Sequence, residues 1–237
     1  MKSWMSLMVA SVVAATDTES CLALALNGGG SKGAYQAGAI YGFMHEGNPD
    51  DFQWDVVTGI SGGAINACGM SVWAKEDGLA MSEWLSNKWN TLSTPAIWKW
   101  WPGGPVAGFK QQSFMDDTPL LEFLTSTFAE YPEGVKRKSM IGTVNANDGE
   151  YKRWFLDEIP LDKTISDAPK QCVSSASLPG LFIPAAIDDG LYIDGGTAMG
   201  LDAISAVESC LAMVGDDQEK VTLDIMLLDR FIAPPTH

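Results

Sequence analysis

The chain has 237 residues, of which 46% are hydrophobic and 19% are charged, a composition typical of one globular domain with a buried core. Its 30 acidic residues oppose 15 basic ones, which gives a formal net charge of −15 at pH 7. Such a charge repels phosphate polymers and argues against nucleic acid as a partner. It favours a neutral, zwitterionic or monomeric substrate over an anionic lipid surface.

The N-terminus has the order of residues that is typical of a secretory signal peptide. Lys2 precedes an uncharged run, Trp4 to Ala15, that ends in small residues and is too short to span a bilayer. We therefore expect residues 1–15 to be a signal peptide, residues 16–237 to form a single domain, and the protein to be secreted or in the secretory pathway. The alternative is an amphipathic N-terminal helix, with which the protein would be cytoplasmic.

The four cysteines are widely spaced, and no CxxC pair occurs, so the sequence indicates no metal site. Cys68 and Cys210 fall inside apolar helical patterns, which favours buried free thiols. If the protein is secreted, one or two disulfides become possible, although the spacing does not give their pairing.

The first part of the chain alternates strand and helix patterns. The apolar run 22–26 predicts a strand, and the helical spacing of apolar residues from Ala34 to Glu46 predicts a helix. A second strand is predicted from Trp54 to Thr58, followed by a helix from Ala64 to Ala74. Two strand–turn–helix units in succession predict an α/β fold with a parallel sheet.

The remaining elements follow from turn signals and apolar periodicity. Asp148-Gly149 and Asp189-Gly190 predict two hairpins. The other predicted elements are helices near 117–128, 167–177 and 201–213, and a strand over 221–228.

A tryptophan-rich segment interrupts this pattern. Five tryptophans lie between positions 84 and 101, before Pro102-Gly103-Gly104-Pro105. We expect a helix that leads into an irregular loop. Two interpretations remain open: a mobile lid that seeks a lipid interface, or ordinary packing against the core.

The segment Gly59-Ile60-Ser61-Gly62-Gly63 fits the pattern G-x-S-x-G between a predicted strand and a predicted helix. This context is the one that a nucleophile elbow requires, because small neighbours allow a strained serine at the start of a helix. We therefore expect Ser61 to be a nucleophile.

A second glycine-rich turn also lies between a strand and a helix, and it comprises Gly28, Gly29, Gly30, Ser31, Lys32 and Gly33. It fits the dinucleotide-binding pattern G-x-G-x-x-G, but no acidic residue follows at the end of the second strand, and no Lys-Ser/Thr pair supports a P-loop. An oxyanion hole fits better, with N–H groups from this turn and from Gly62. Lys32 would add positive charge there or be solvated.

A base for Ser61 is then required. Asp194-Gly195-Gly196 follows an apolar strand pattern, where a carboxylate would point into the same crevice as Ser61. The two histidines, His45 and His237, lie at the end of a helix and at the C-terminus, so a Ser-His-Asp triad is not expected. A Ser61–Asp194 dyad remains.

The glycine-rich loop, the G-x-S-x-G elbow and the D-G-G segment, in this order, resemble those of the patatin-like phospholipase family over roughly residues 21–230. The resemblance implies a three-layer α/β/α fold with a mostly parallel central sheet, and hydrolysis of lipid acyl esters without metal or other cofactor. It also implies that Ser61 and Asp194 are the catalytic pair and that residues 28–33 form the oxyanion loop. Gly62 stands where many members carry alanine.

The expected function is therefore that of a lipid acyl-ester hydrolase that meets its substrate at a membrane or micelle interface. The alternatives are a non-catalytic lipid-binding protein on the same fold and a nucleotide-binding oxidoreductase of the Rossmann type.

Overall fold

The computed structural model describes residues 19–111 and 113–228. The predicted signal peptide, residues 1–15, lies outside the described residues, and so does His237. In the part of the chain that is described, the helices are α1 Gly33–Glu46, α2 Gly62–Ser71, α3 Gly78–Thr91, α4 Thr94–Ile97, α5 Gly108–Gln111, α6 Thr118–Ala129, α7 Thr164–Ser174 and α8 Ala203–Met213. The strands are β1 Cys21–Leu26, β2 Val56–Gly59, β3 Lys99–Trp100, β4 Met115–Asp116, β5 Lys138–Asn145, β6 Tyr151–Phe155, β7 Ala185–Ile187, β8 Gly190–Asp194 and β9 Val221–Met226.

The central sheet has the strand order β7-β8-β5-β2-β1-β9, with β6 paired to β5. Strands β9, β1, β2 and β5 are parallel to one another, whereas β6 and β8 run antiparallel to β5, and β7 runs antiparallel to β8. The predicted α/β fold with a mostly parallel central sheet is confirmed. Both predicted hairpins form, as β5–β6 and β7–β8.

Helices cover both faces of the sheet, and the side chains of strand β1 alternate between these two faces. Leu24 and Leu26 point into a large apolar cluster that includes residues of α1, α2, α3, α6 and α7. Cys21, Ala23 and Ala25 point to the opposite face, where they pack with Ala206 and Cys210 of α8. The alternation follows from the period of two along a strand.

The cysteines correct one expectation. Cys68 and Cys210 are buried residues of helices, as expected, but they are not free thiols: Cys68 is bonded to Cys172 and Cys210 to Cys21. The pairs are separated by 104 and 189 residues in sequence, so only the packing of α2 on α7 and of α8 on β1 brings them together.

The tryptophan-rich segment has more regular structure than the sequence suggested. Trp84 and Trp89, on α3, are partly buried against the core. Beyond them, α4 leads into β3, which pairs with β4. In the described residues, no helix combines the length and the apolar character needed to cross a membrane.

Candidate active site

Ser61 occupies the turn between β2 and α2 in a strained backbone conformation. Its φ is 53° and its ψ is −120°, outside the regions that non-glycine residues normally adopt. It is the N-cap of α2, so the helix N-terminus, which favours negative charge, begins directly after it. The geometry is that of a nucleophile elbow.

The backbone N–H of Ser61 is bound by a residue that the sequence did not single out. It donates to the hydroxyl oxygen of Ser175 over 2.9 Å, and that hydroxyl donates to the carbonyl oxygen of Gly142 over 2.6 Å. Ser175 is completely buried directly after α7. It thus connects the elbow to strand β5. No local motif marks Ser175, because its partners are distant in sequence.

Asp194 meets Ser61 because two strands end against the same side of β5. Strand β2 runs along β5 and stops where Gly59 lies opposite Ile141. Strand β8 approaches along that side in the opposite direction and stops where Asp194 lies opposite Thr143. Strand β6 occupies the other side of β5. The ends of β2 and β8 therefore face each other, with the elbow at one and the carboxylate at the other.

The Asp194 carboxyl group is buried and only partly hydrogen-bonded. Its Oδ1 accepts the N–H of Gly196 over 2.7 Å, while Oδ2 is buried and has no hydrogen bond of normal geometry within the described residues. Burial raises the pKa of Asp194, and hydrogen bonding by the Ser61 hydroxyl and the Gly196 N–H opposes that rise. A carboxyl oxygen with unused acceptor capacity thus lies at the elbow, as proton transfer from a serine requires.

The D-G-G segment has glycine at two positions where a side chain would collide. A Cβ on Gly195 would lie 2.3 Å from the Gly142 carbonyl oxygen, and one on Gly196 would lie 2.9 Å from Asp194 Oδ1. Gly195 therefore lets the chain pack on β5, and Gly196 lets its N–H reach the carboxylate.

Some hydrogen-bond donors of the glycine-rich loop bind acceptors within the protein, and others do not. Gly28 donates its N–H to Gly200, and Gly33 donates its N–H to the Gly30 and Ser31 carbonyls. The Lys32 ammonium group donates to the Leu228 carbonyl over 3.2 Å. Lys32 is thus held by the chain after β9, neither directed at the elbow nor merely solvated.

The N–H groups of Gly29, Gly30 and Gly62 have no backbone acceptor among the described residues. The loop that carries the first two lies directly on the elbow, since a Cβ on Gly62 would lie 2.4 Å from the Gly30 carbonyl oxygen. Gly30 has a φ of 58°, a conformation that glycine adopts without strain.

A cavity of about 310 Å³ opens at Ser61. Gly30, Ser31 and Gly62 form its polar end. The other lining side chains are apolar: Ile65, Trp89, Leu92, Ile97, Trp98, Met115, Leu120, Ala176, Leu178, Leu181 and Phe182. By comparison, an apolar cavity of about 150 Å³ accommodates benzene, so the space at Ser61 is large enough for an apolar group bigger than a single ring.

His45 lies far from this site. It is exposed at the end of α1, stacks on Tyr41 and lies 3.8 Å from a carboxylate oxygen of Glu83. Helix α1 begins beside the elbow at Gly33, which places His45 about 18 Å further along the helix axis. The described residues also contain no group of three or more His, Cys, Asp or Glu side chains that could hold a metal ion.

The comparisons with known proteins agree with this architecture. The model of the family described as patatin-like phospholipase matches residues 24–207, which include the glycine-rich loop, Ser61 and Asp194. The chain belongs to the patatin-like phospholipase family. No curated protein matches the chain.

Among solved structures, VipD from Legionella pneumophila is similar over 88% of this chain, with 16% sequence identity and a TM-score of 0.44. The chain spans 50% of the length of that structure.

Proposed function

We propose that the chain is a serine acyl hydrolase that cleaves lipid acyl esters with Ser61 as nucleophile and Asp194 as its base. Family membership supports lipid acyl hydrolysis in general terms. The observation that carries the specific proposal is the convergence of β2 and β8 on one side of β5, which brings a buried carboxyl group next to a strained serine that lines an apolar cavity.

In the proposed reaction, the Asp194 carboxylate accepts the proton of the Ser61 hydroxyl as its oxygen attacks the ester carbonyl carbon. The tetrahedral intermediate collapses, and the departing alcohol takes the proton from Asp194. Water then attacks the acyl-enzyme, again with Asp194 as base, and the fatty acid and free Ser61 are released.

The oxyanion of each tetrahedral intermediate needs hydrogen-bond donors that have no other partner. We assign this role to the N–H groups of Gly29, Gly30 and Gly62, which lack backbone acceptors in the described residues and adjoin the elbow. Gly28, Lys32 and Gly33 support the loop instead, because their donors are bound to carbonyl oxygens within the protein.

We also propose that the protein acts in the secretory pathway or outside the cell. The two disulfides, which join β1 to α8 and α2 to α7, support an oxidising compartment. Mass spectrometry of the protein from its native host tests this, since the mature form should lack residues 1–15 and contain no free thiol.

The proposed chemistry is tested by incubating the protein with a panel of phospholipids, lysophospholipids, galactolipids and acylglycerols and identifying the products by mass spectrometry. A fluorophosphonate probe should label Ser61 and no other residue. Ser61→Ala should abolish both labelling and turnover, whereas Ser31→Ala, which changes another serine of the same cavity, should retain labelling. Lipid association without turnover by the unmodified protein would favour a non-catalytic lipid-binding function and overturn the proposal.

A further inference from the structure

Large apolar side chains are exposed on the segments that also form part of the wall of the Ser61 cavity. Val106 and Phe109 are 76% and 80% exposed, and neither lines the cavity. We refer to the exposed apolar residues of this region as the apolar rim: Trp100, Val106, Phe109, Phe114, Leu178 and Leu181.

The rim is continuous with the cavity through main-chain and ring contacts. Phe109 packs edge-on against Phe114, whose N–H donates to the Gly180 carbonyl oxygen. The next residue, Met115, donates its N–H to Leu181 and lines the cavity. Leu178 and Leu181 belong to the rim and to the cavity wall. Part of the rim is therefore attached directly to the wall of the cavity.

The charges of the two segments that carry the rim differ from those of the rest of the chain. The protein has a net charge of −15, yet residues 84–115 contain three lysines and no acidic residue, and residues 171–187 contain no charged residue. The acidic residue that follows the first segment, Asp116, is buried and lies 3.4 Å from Lys99. The two segments that carry the rim are therefore free of acidic residues, although the protein as a whole is acidic.

We propose that the apolar rim inserts into the surface of zwitterionic phospholipid aggregates and so holds the cavity entrance against the lipid that supplies the acyl chain. Exposed aromatic and aliphatic side chains on segments without acidic residues suit the boundary between head groups and acyl chains. The net charge of −15 disfavours anionic lipid at longer range, which leaves zwitterionic lipid as the partner. The proposal rests on the proposed function, because it concerns how that same site obtains its substrate.

The test compares the full chain with the double variant Val106→Ser/Phe109→Ser. Binding is measured by co-sedimentation with phosphatidylcholine vesicles, and activity is measured on vesicle phospholipid and on a short-chain ester below its critical micelle concentration. The control is Leu161→Ser, which changes a side chain that is 61% exposed and precedes α7, at the opposite end of that helix from Ser175. Size-exclusion chromatography reports the oligomeric state of each protein.

We expect the double variant to bind vesicles at least about tenfold more weakly and to lose vesicle hydrolysis in proportion, since two large apolar side chains no longer leave water. Its turnover of the monomeric ester should be unchanged, and Leu161→Ser should behave as the unmodified protein does. The proposal would be overturned if the double variant bound vesicles as tightly as the unmodified protein, or if Leu161→Ser lost vesicle binding to the same extent. It would also be overturned if the unmodified protein were a dimer and the double variant a monomer. Failure of the unmodified protein to cleave the monomeric ester would instead count against the proposed function, because vesicle binding is measured independently of turnover.

Discussion

Ser175 lies 114 residues after Ser61, yet its hydroxyl accepts the hydrogen bond of the Ser61 backbone N–H. A serine held at positive φ stores strain that its surroundings must stabilise. Because the Ser175 hydroxyl also donates to Gly142, it fixes the elbow relative to β5, the strand that aligns Asp194.

We expect Ser175→Ala to lower kcat about tenfold or more with little change in KM, because the buried N–H of Ser61 loses its acceptor. The rate of fluorophosphonate labelling should fall in parallel. Ser174→Ala is the matched control: its hydroxyl is equally buried but bonds only to Gln171 in the same helix. Equal losses of kcat in the two variants would show that Ser175 has no positioning role.

Gly62 provides a test of the proposed oxyanion site. Because a Cβ there would lie 2.4 Å from the Gly30 carbonyl oxygen, Gly62→Ala should displace the glycine-rich loop and lower kcat by one to two orders of magnitude. The close approach of the Gly30 carbonyl oxygen in this chain favours glycine at this position. Gly38→Ala, at an exposed and open position of α1, should keep full activity and gain up to about 1 kcal/mol of stability. Full activity in steady-state assays of Gly62→Ala would contradict the assignment.

Asp194→Asn should remain folded and lose several orders of magnitude in kcat, because an amide cannot accept the serine proton as a carboxylate does. Since burial raises the pKa of Asp194, the acidic limb of kcat in the unmodified enzyme should lie above the ordinary carboxyl value of 3.8. His45→Ala, at the far end of α1, should keep the turnover and the pH profile of the unmodified enzyme. Loss of activity in His45→Ala but not in Asp194→Asn would require a different base.

The same pKa shift predicts a stability difference with a definite sign. The native state binds the Asp194 proton more tightly than the unfolded chain, so this residue's contribution to stability falls as the pH rises from about 3.8 through the raised native pKa. The amide that replaces the carboxyl group in Asp194→Asn does not titrate. In thermal unfolding, Asp194→Asn should therefore be the more stable protein at pH 7, and this advantage should shrink as the pH falls towards 4. An advantage that grows on acidification would show that the pKa is lowered instead.

The two disulfides should differ in their effect on activity. Removing either pair with alanine should cost about 2–4 kcal/mol in urea unfolding. Loss of Cys68–Cys172 should also lower kcat in the folded protein, because this bond joins the helix that follows Ser61 to the helix that precedes Ser175. Loss of Cys21–Cys210, on the opposite face of the sheet, should leave kcat unchanged. The same kcat loss for both pairs would contradict this distinction.

Local sequence determined most of the elements and the identity of the candidate dyad. Glycines around Ser61 predicted the elbow because only small residues permit the close approaches found there, and the Asp-Gly turns predicted both hairpins. Two histidines in unsuitable positions were enough to favour a dyad over a triad. These features depend on residues near one another in the chain, so a single sequence contains the information.

Tertiary structure alone decided how the site is assembled. The sequence placed Asp194 at the end of a strand, but β8 is antiparallel to β5, so the carboxylate meets Ser61 because two strands end head to head and not because parallel strands share an edge. Three further features depend on contacts between distant segments. They are the pairing of the cysteines, the hydrogen bond from Ser61 to Ser175, and the difference between bound and unbound N–H groups in the glycine-rich loop. Local propensity does not encode such contacts, because the register and packing that create them are set by burial of the whole core.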